Sequence, residues 1–395
     1  MTINRRKLGI GAAGALVAAS ILPRPAIAQS QPIRIGWLVA LTGPISASAA
    51  GHHRGTILGA ETINAAGGVK GRRIEIVTQD TQGDPSKAVG GAQRMIADKV
   101  DALWGPTSSG ESLAITALVA KAKMPNIHPC VIDSLIEPLR YPNAFRSAPS
   151  NAQWDEAVRH YCRSVLKTKR VALFGDTSAY GVNAVNDSAR SFVTDGMEIA
   201  DKASIDPTQT DLLADLRRAR ESGAEAVVLW SNSVGLVSRL LNARAAVSWD
   251  VSVVGHPTLS SGAIGPQLAK LANWENVFAL GFRSSSHHGA GRTLPPRSQE
   301  FLQRFRDRVP LNDTLLWWVT CGFDAVSLIA EAAGNAGSAP SEIIGYWNTL
   351  KKRPGYFGEY SFSPNDHDGY NVKDVVMSVA NSGRDGTFDL APGYG

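Results

Sequence analysis

Six consecutive residues, Gly105-Pro106-Thr107-Ser108-Ser109-Gly110, combine groups able to hold an anion or a carbonyl oxygen. They follow an apolar run at 102–104 that reads as a strand, and they open a segment, 110–123, that reads as a helix. At such a junction, backbone N–H groups without intrahelical partners, the positive end of the helix dipole and two hydroxyls converge on one point. That chemistry suits a carboxylate or an amide carbonyl. The same serines can instead cap the helix, Ser108 or Ser109 accepting from first-turn N–H groups. Trp230, Ser231 and Asn232 end another apolar run, 226–230. An indole there is either a flat apolar wall with one N–H donor or a core tryptophan.

Other chemistries find little support. His52-His53 and His287-His288 are adjacent pairs without helical ligand spacing, so they read as solvated loop residues rather than metal ligands. Asp366-His367-Asp368-Gly369 has the flavour of a calcium loop but lacks the distal glutamate, and reads as a polar turn. Gly9-Ile10-Gly11-Ala12-Ala13-Gly14 matches a dinucleotide fingerprint, yet no strand precedes it. The sequence has no G-x-S-x-G, no H-E-x-x-H and no P-loop, and its acids cannot be paired into a dyad by spacing. Neither a metal nor a cofactor is expected, and an enzyme is not the favoured reading.

The elements that must position these residues are legible as periodicity. Strands are expected at 33–41, 74–77, 102–104 and 126–128, then in a second series at 171–174, 226–230, 251–254 and 277–280. Helices are expected between them at 86–97, 110–123, 152–166, 184–194, 212–221 and 234–245, with 298–308 and 315–334 following. Alternation of this kind makes parallel sheets from right-handed βαβ units. Two series predict an α/β protein of two doubly wound lobes, and 395 residues suffice for two cores. Ligands in such sheets sit beyond the carboxyl ends of the strands, where the loop at 105–110 and Trp230-Asn232 lie.

The N-terminus reads as an export signal. Asn4-Arg5-Arg6-Lys7 carries a twin arginine, 8–22 is mildly apolar, and Ala26-Ile27-Ala28 offers a cleavage site. Residues 1–28 are therefore expected to be removed, delivering a soluble protein to the periplasm. The formal charge of +5 includes Arg5, Arg6, Lys7 and Arg24 with no acid in that segment, which leaves +1 for the remainder. So balanced a chain, with no basic run interleaved with aromatics, gives no reason to expect nucleic acid. Beyond the signal, no apolar stretch is expected to cross a membrane. Cys130, Cys162 and Cys321 show no C-x-x-C spacing, and an odd count leaves at least one thiol free.

The wording of the turns carries more than their physics. The segment 64–84, NAAGGVKGRRIEIVTQDTQGD, reads as helix, glycine turn and strand. With TGP at 42–44, GPTSS at 105–109 and AYG at 179–181, it resembles the leucine/isoleucine/valine-binding branch of the type I periplasmic binding proteins that feed ABC importers. The resemblance implies two lobes joined by three crossing strands, with lobe one at 29–147 plus 285–352 and lobe two at 148–284 plus 353–395. The implied crossovers are 145–149, 281–296 and 353–355, with 357–362 and 372–379 finishing in lobe two. It also implies ligand contacts. Position and resemblance together favour Ser109, with Ser108 beside it. The Pro129-Cys130-Val131-Ile132 loop matches the stretch where relatives bring small residues and a hydroxyl, and Ile132 stands at the hydroxyl's place. Tyr180 matches the tyrosine that covers the ligand. His256 lies where amino-acid binders often place an acid for the ammonium, a departure that favours a neutral or anionic ligand. The implied function is capture of a small amino acid, amide or carboxylate by a monomer for delivery to an ABC permease. A ligand sensor of the same fold and a Tat-exported enzyme are the alternatives; the export signal disfavours the first and the missing cofactor motif the second.

Overall fold

The computed structural model describes residues 31–288, 292–309, 311 and 314–394; the expected export segment lies outside them. In the first sheet, β1 (Ile33–Val39), β2 (Ile74–Asp80), β3 (Ala102–Trp104), β4 (Asn126–His128) and β5 (Ala144–Arg146) lie in the order β2-β1-β3-β4-β5, all parallel. The second sheet contains β6 (Arg170–Asp176), β7 (Glu198–Ile205), β8 (Ala226–Trp230), β9 (Ser252–Gly255) and β10 (Val277–Phe282). It repeats the order with β7-β6-β8-β9-β10 and adds an antiparallel edge strand on β10. Both lobes are thus doubly wound, and each has a switch point, between β1 and β3 and between β6 and β8. A crevice opens there beyond the strand ends.

Helices α1 (Ser46–Ala65), α2 (Pro85–Ala97) and α3 (Ser109–Lys121) connect the first sheet. Helices α4 (Asn151–His160), α5 (Ala179–Thr194), α6 (Leu213–Glu221) and α7 (Val234–Ala246) serve the second. The chain then returns through the short strand β11 (Ser286–His287) to α8 (Pro296–Phe305), α9 (Leu316–Asn335) and α10 (Pro340–Trp347). A two-residue hairpin, β12 (Arg353–Pro354) with β13 (Glu359–Tyr360), precedes β14 (Val375–Val379), the antiparallel edge strand, and β15 (Phe388–Asp389), which pairs with β11.

The structure departs from expectation in places that have physical reasons. β7 goes unread because it is an edge strand whose alternating exposure admits Glu198, Asp201 and Lys202. β5 occupies part of the expected first crossover. The expected helix at 152–166 ends at His160 and continues as a π-helical turn, Tyr161–Val165. α9 is long and apolar enough to cross a membrane, contrary to expectation, yet most of it is buried in the fold. It packs along α1 through Gly55 and Gly322: a Cβ at Gly55 would lie 1.8 Å from the Val319 carbonyl oxygen, and one at Gly322 would lie 2.3 Å from that of His52.

The placement of 353–370 is corrected too. These residues pack chiefly on the first sheet, although Phe357 and Tyr370 also meet Phe282 at the end of β10. The Phe362 N–H donates to the Leu350 carbonyl (2.9 Å), Phe362 meets Phe145 edge-on, and the Arg146 N–H donates to the His367 carbonyl (2.9 Å). His367 stacks on Phe145 with ring centres 3.9 Å apart, so the turn at 366–369 is a clasp on the β5 edge. The third crossing therefore falls between Tyr370 and β14, where Arg283 Nε donates to the Lys373 carbonyl (2.9 Å).

Candidate ligand-binding site

The carboxyl ends of β3 and β6 each run into a helix, and the two helices face one another. An ideal Cβ at Gly110, in the first turn of α3, would lie 3.8 Å from the Ala179 Cβ that opens α5. Beside them, Ser48 Oγ on α1 donates to the Asn232 carbonyl across the lobes (3.1 Å). Between the lobes is a cavity of about 70 Å³, space for several waters.

Its second-lobe wall is held from below by Asp176. This buried carboxylate, at the end of β6, accepts from the Ser178 N–H (3.0 Å) and from Ser231 Oγ (2.6 Å). The Ser178 hydroxyl caps α5 by accepting from the Gly181 N–H (3.1 Å). One acid at the switch point thereby sets both the Tyr180 turn and the Asn232 loop. Tyr180, Trp154 and His256 form an aromatic group, with His256 5.2 Å from Tyr180 and 5.3 Å from Trp154 between ring centres. Burial pushes His256 down to about 3, so its ring is neutral. Nδ1 accepts from the Thr258 N–H (3.1 Å), which assigns the proton to Nε2 as a donor.

The first-lobe wall carries a second aromatic group, His52 from α1 with Trp317 and Trp318 from α9, together with Thr107, Ser109 and the loop 129–131. Tyr180 OH, Trp154 Nε1, Thr107 Oγ1 and both His52 nitrogens are buried without a hydrogen-bond partner among the described residues. Buried polar atoms left without a partner are rare in native folds, and these five belong to residues that line one cavity. Among the described residues, no Asp, Glu, Lys or Arg lines it.

Of the residues read from sequence, Ser109, Cys130, Tyr180, Asn232 and His256 line the cavity. Ser108, Ile132 and Trp230 do not. Ser108 is the N-cap of α3 but makes no capping bond; its hydroxyl sits beside Glu111, whose carboxyl burial raises to about 7. Ile132 packs with Leu135 while its carbonyl accepts from Arg146 Nη2 (3.2 Å). Trp230 is core: it is fully buried, and its Nε1 donates to Ser188 Oγ (2.9 Å). All three cysteines are buried free thiols, and burial pushes Cys130 up to about 12. His52 and His53 belong to α1 rather than to a loop, and no cluster of metal-ligating residues occurs among the described residues. Sequence reading missed His52, Trp154, Trp317 and Trp318. The adjacent tryptophans opening a long apolar helix were the available signal.

A family model described as periplasmic binding protein matches residues 32–383. The chain belongs to the periplasmic binding protein family. Curated relatives include a Leu/Ile/Val-binding protein homolog 3 of Brucella melitensis, 26% identical over 53% of this chain. A Leu/Ile/Val-binding protein homolog 2 of Brucella abortus is 22% identical over 90% of this chain and 92% of its own length. The match spans only 58% of the first relative's length. Among solved periplasmic binding proteins, LivJ of Streptococcus pneumoniae in complex with isoleucine superposes with a TM-score of 0.77 at 23% identity, covering 91% of this chain and 99% of that one. A solute binding protein of R. palustris in complex with 4-hydroxybenzoate gives 0.75 at 17% identity, covering 91% and 95%. These likenesses fix the fold: two parallel-sheet lobes of the type I binding proteins.

Proposed function

We propose that the protein captures a small carboxylate with a flat apolar body between its lobes, in the periplasm, and presents it to an ABC permease. One observation carries this reading: the cavity is rich in neutral donors and, among the described residues, no acid lines it. His256 Nε2, Trp154 Nε1, the hydroxyls of Thr107 and Tyr180 and the N-termini of α3 and α5 supply positive potential to an anion. A zwitterionic amino acid would leave its ammonium without a carboxylate partner, at the cost of an unpaired buried charge. Six aromatic rings line the remaining surface and suit a planar body better than a branched one. The solved neighbours include both ligand types, one in complex with isoleucine and one with 4-hydroxybenzoate.

A thermal-shift comparison tests the choice. Benzoate or a substituted benzoate at ~100 Kd should stabilise the protein by about 2.7 kcal/mol, with leucine, isoleucine and urea producing little change at the same concentration. Stabilisation by leucine but by no benzoate would replace the carboxylate reading with an amino-acid one.

Tyr180 should cover the ligand from the second lobe. Its ring is an edge-on neighbour of Trp154, and its hydroxyl waits for a partner. Tyr180→Ala should weaken binding of a confirmed ligand at least about tenfold, which is ~1.4 kcal/mol, by calorimetry. Unchanged affinity would move the site elsewhere.

A further inference from the structure

His52 is 5% exposed and lines the first-lobe end of the cavity. Its ring lies among Trp104, Trp317 and Trp318, with centres 6.2, 6.1 and 6.2 Å away. None of these rings contacts the Trp154-Tyr180-His256 group, so the two aromatic groups form separate ends of one cavity. Neither ring nitrogen has a hydrogen-bond partner among the described residues. In the neutral ring one of the two is a bare lone pair. No donor among the described residues reaches it, and the indole N–H of Trp104 is already given to Thr56 Oγ1 (2.8 Å). Burial keeps the ring neutral, with its pKa lowered to about 3.

A carboxylate has only lone pairs to offer such a nitrogen; a hydroxyl or an N–H has the proton it lacks. We infer that His52 is a specificity-determining residue that accepts a hydrogen bond from a hydroxyl at the end of the ligand remote from its carboxylate. The inference deepens the carboxylate reading above: the ligand class becomes a hydroxylated aromatic acid, anion toward α3 and α5, hydroxyl toward α1. His52 shapes selection rather than overall grip, because a ligand lacking the hydroxyl leaves a buried acceptor unmatched.

Calorimetry on wild type, His52→Leu and His52→Gln decides it. The probes are benzoate, 3-hydroxybenzoate and 4-hydroxybenzoate, with benzamide and its 3- and 4-hydroxy forms as uncharged counterparts. Wild type should prefer a hydroxylated member over its parent by roughly tenfold or more. His52→Leu should erase that preference, read as the ratio of hydroxylated to parent affinity within the one variant, and His52→Gln, whose amide oxygen can accept, should restore part of it. Circular dichroism confirms that each variant is folded, and the wild-type comparison stands even where His52→Leu is not. A wild-type protein indifferent to the hydroxyl, or a His52→Leu protein that keeps the preference, overturns the inference alone. Preference confined to the amides supports His52 and overturns the carboxylate reading. Binding of none of the six probes overturns both.

Discussion

Gly55→Ala should destabilise the protein by about 3 kcal/mol and lower its thermal midpoint by roughly 4 °C. In a helix interior the same change ordinarily gains up to ~1 kcal/mol of propensity, so the sign depends on space. There is none at Gly55. The new Cβ would lie 1.8 Å from the Val319 carbonyl oxygen and 2.7 Å from its carbon, and both are backbone atoms of α9. No rotamer can relieve that clash. The helices must separate, opening an interface that on the α9 side includes the fully buried Val319 and Val326. Ligand affinity should fall with stability, because His52 on α1 and Trp317 and Trp318 on α9 reach the cavity only through this crossing. Gly90 in α2 is the control: nothing lies within 4 Å of its would-be Cβ, so Gly90→Ala should be neutral or stabilising. Thermal unfolding followed by circular dichroism reads both. Equal midpoints for Gly55→Ala and wild type would show that the α1–α9 contact yields at no cost.

Arg146→Met should cost about 2–3 kcal/mol, because it leaves loop carbonyls and a partly buried carboxylate without their donor. The guanidinium is 1% exposed. Nη1 donates to the Val131 carbonyl (2.8 Å) and to Asp133 (3.1 Å), Nη2 donates to the Ile132 carbonyl (3.2 Å), and Nε stands 3.5 Å from Asp368. Methionine fills the volume but leaves two loop carbonyls and a partly buried carboxylate unmatched. Those carbonyls belong to the loop whose Pro129, Cys130 and Val131 line the cavity, so binding should weaken as well.

The loss should depend on pH. Burial outweighs Arg146 and already raises Asp368 to about 6, above its unfolded value near 3.9. A carboxyl with a raised native pKa favours folding below the unfolded pKa and loses that contribution as pH climbs through the native one. Without the guanidinium the native pKa climbs further, and the window extends upward. The deficit of Arg146→Met should therefore be larger at pH 8 than at pH 5 in denaturant unfolding. A pH-independent deficit would mean that Asp368 contributes nothing to it.

Much of this architecture was legible in the chain. Apolar runs such as 226–230, alternating with helical segments, predict two parallel sheets, since strands covered on both faces are apolar throughout. The glycine turn at 64–84 and the GPTSS and AYG loops pointed to the family and, through the strand-end rule, to Ser109 and Tyr180. The same continuity of apolar residues hides which way each side chain faces. Trp230 could not be told from a cleft wall, and it is core. β7 was invisible for the opposite reason, as an edge strand patterned for solvent.

What the sequence by itself determined is local and periodic: the α/β alternation, the helix-opening loops at the strand ends, and the absence of an acid in the loop Gly255-His256-Pro257. Only the tertiary structure decided which residues distant in sequence share the cavity. His52, Trp154, Trp317 and Trp318 sit on three helices whose mutual distances no local pattern encodes; they meet because two glycines let α1 and α9 touch and because Asp176 and Ser178 hold the lobe-two loops. The placement of 353–370 was decided the same way. A short segment with aromatics, three acids and one histidine fits either lobe by composition, and it docks where buried Arg146 needs a carboxylate and Phe145 lies open to the His367 ring.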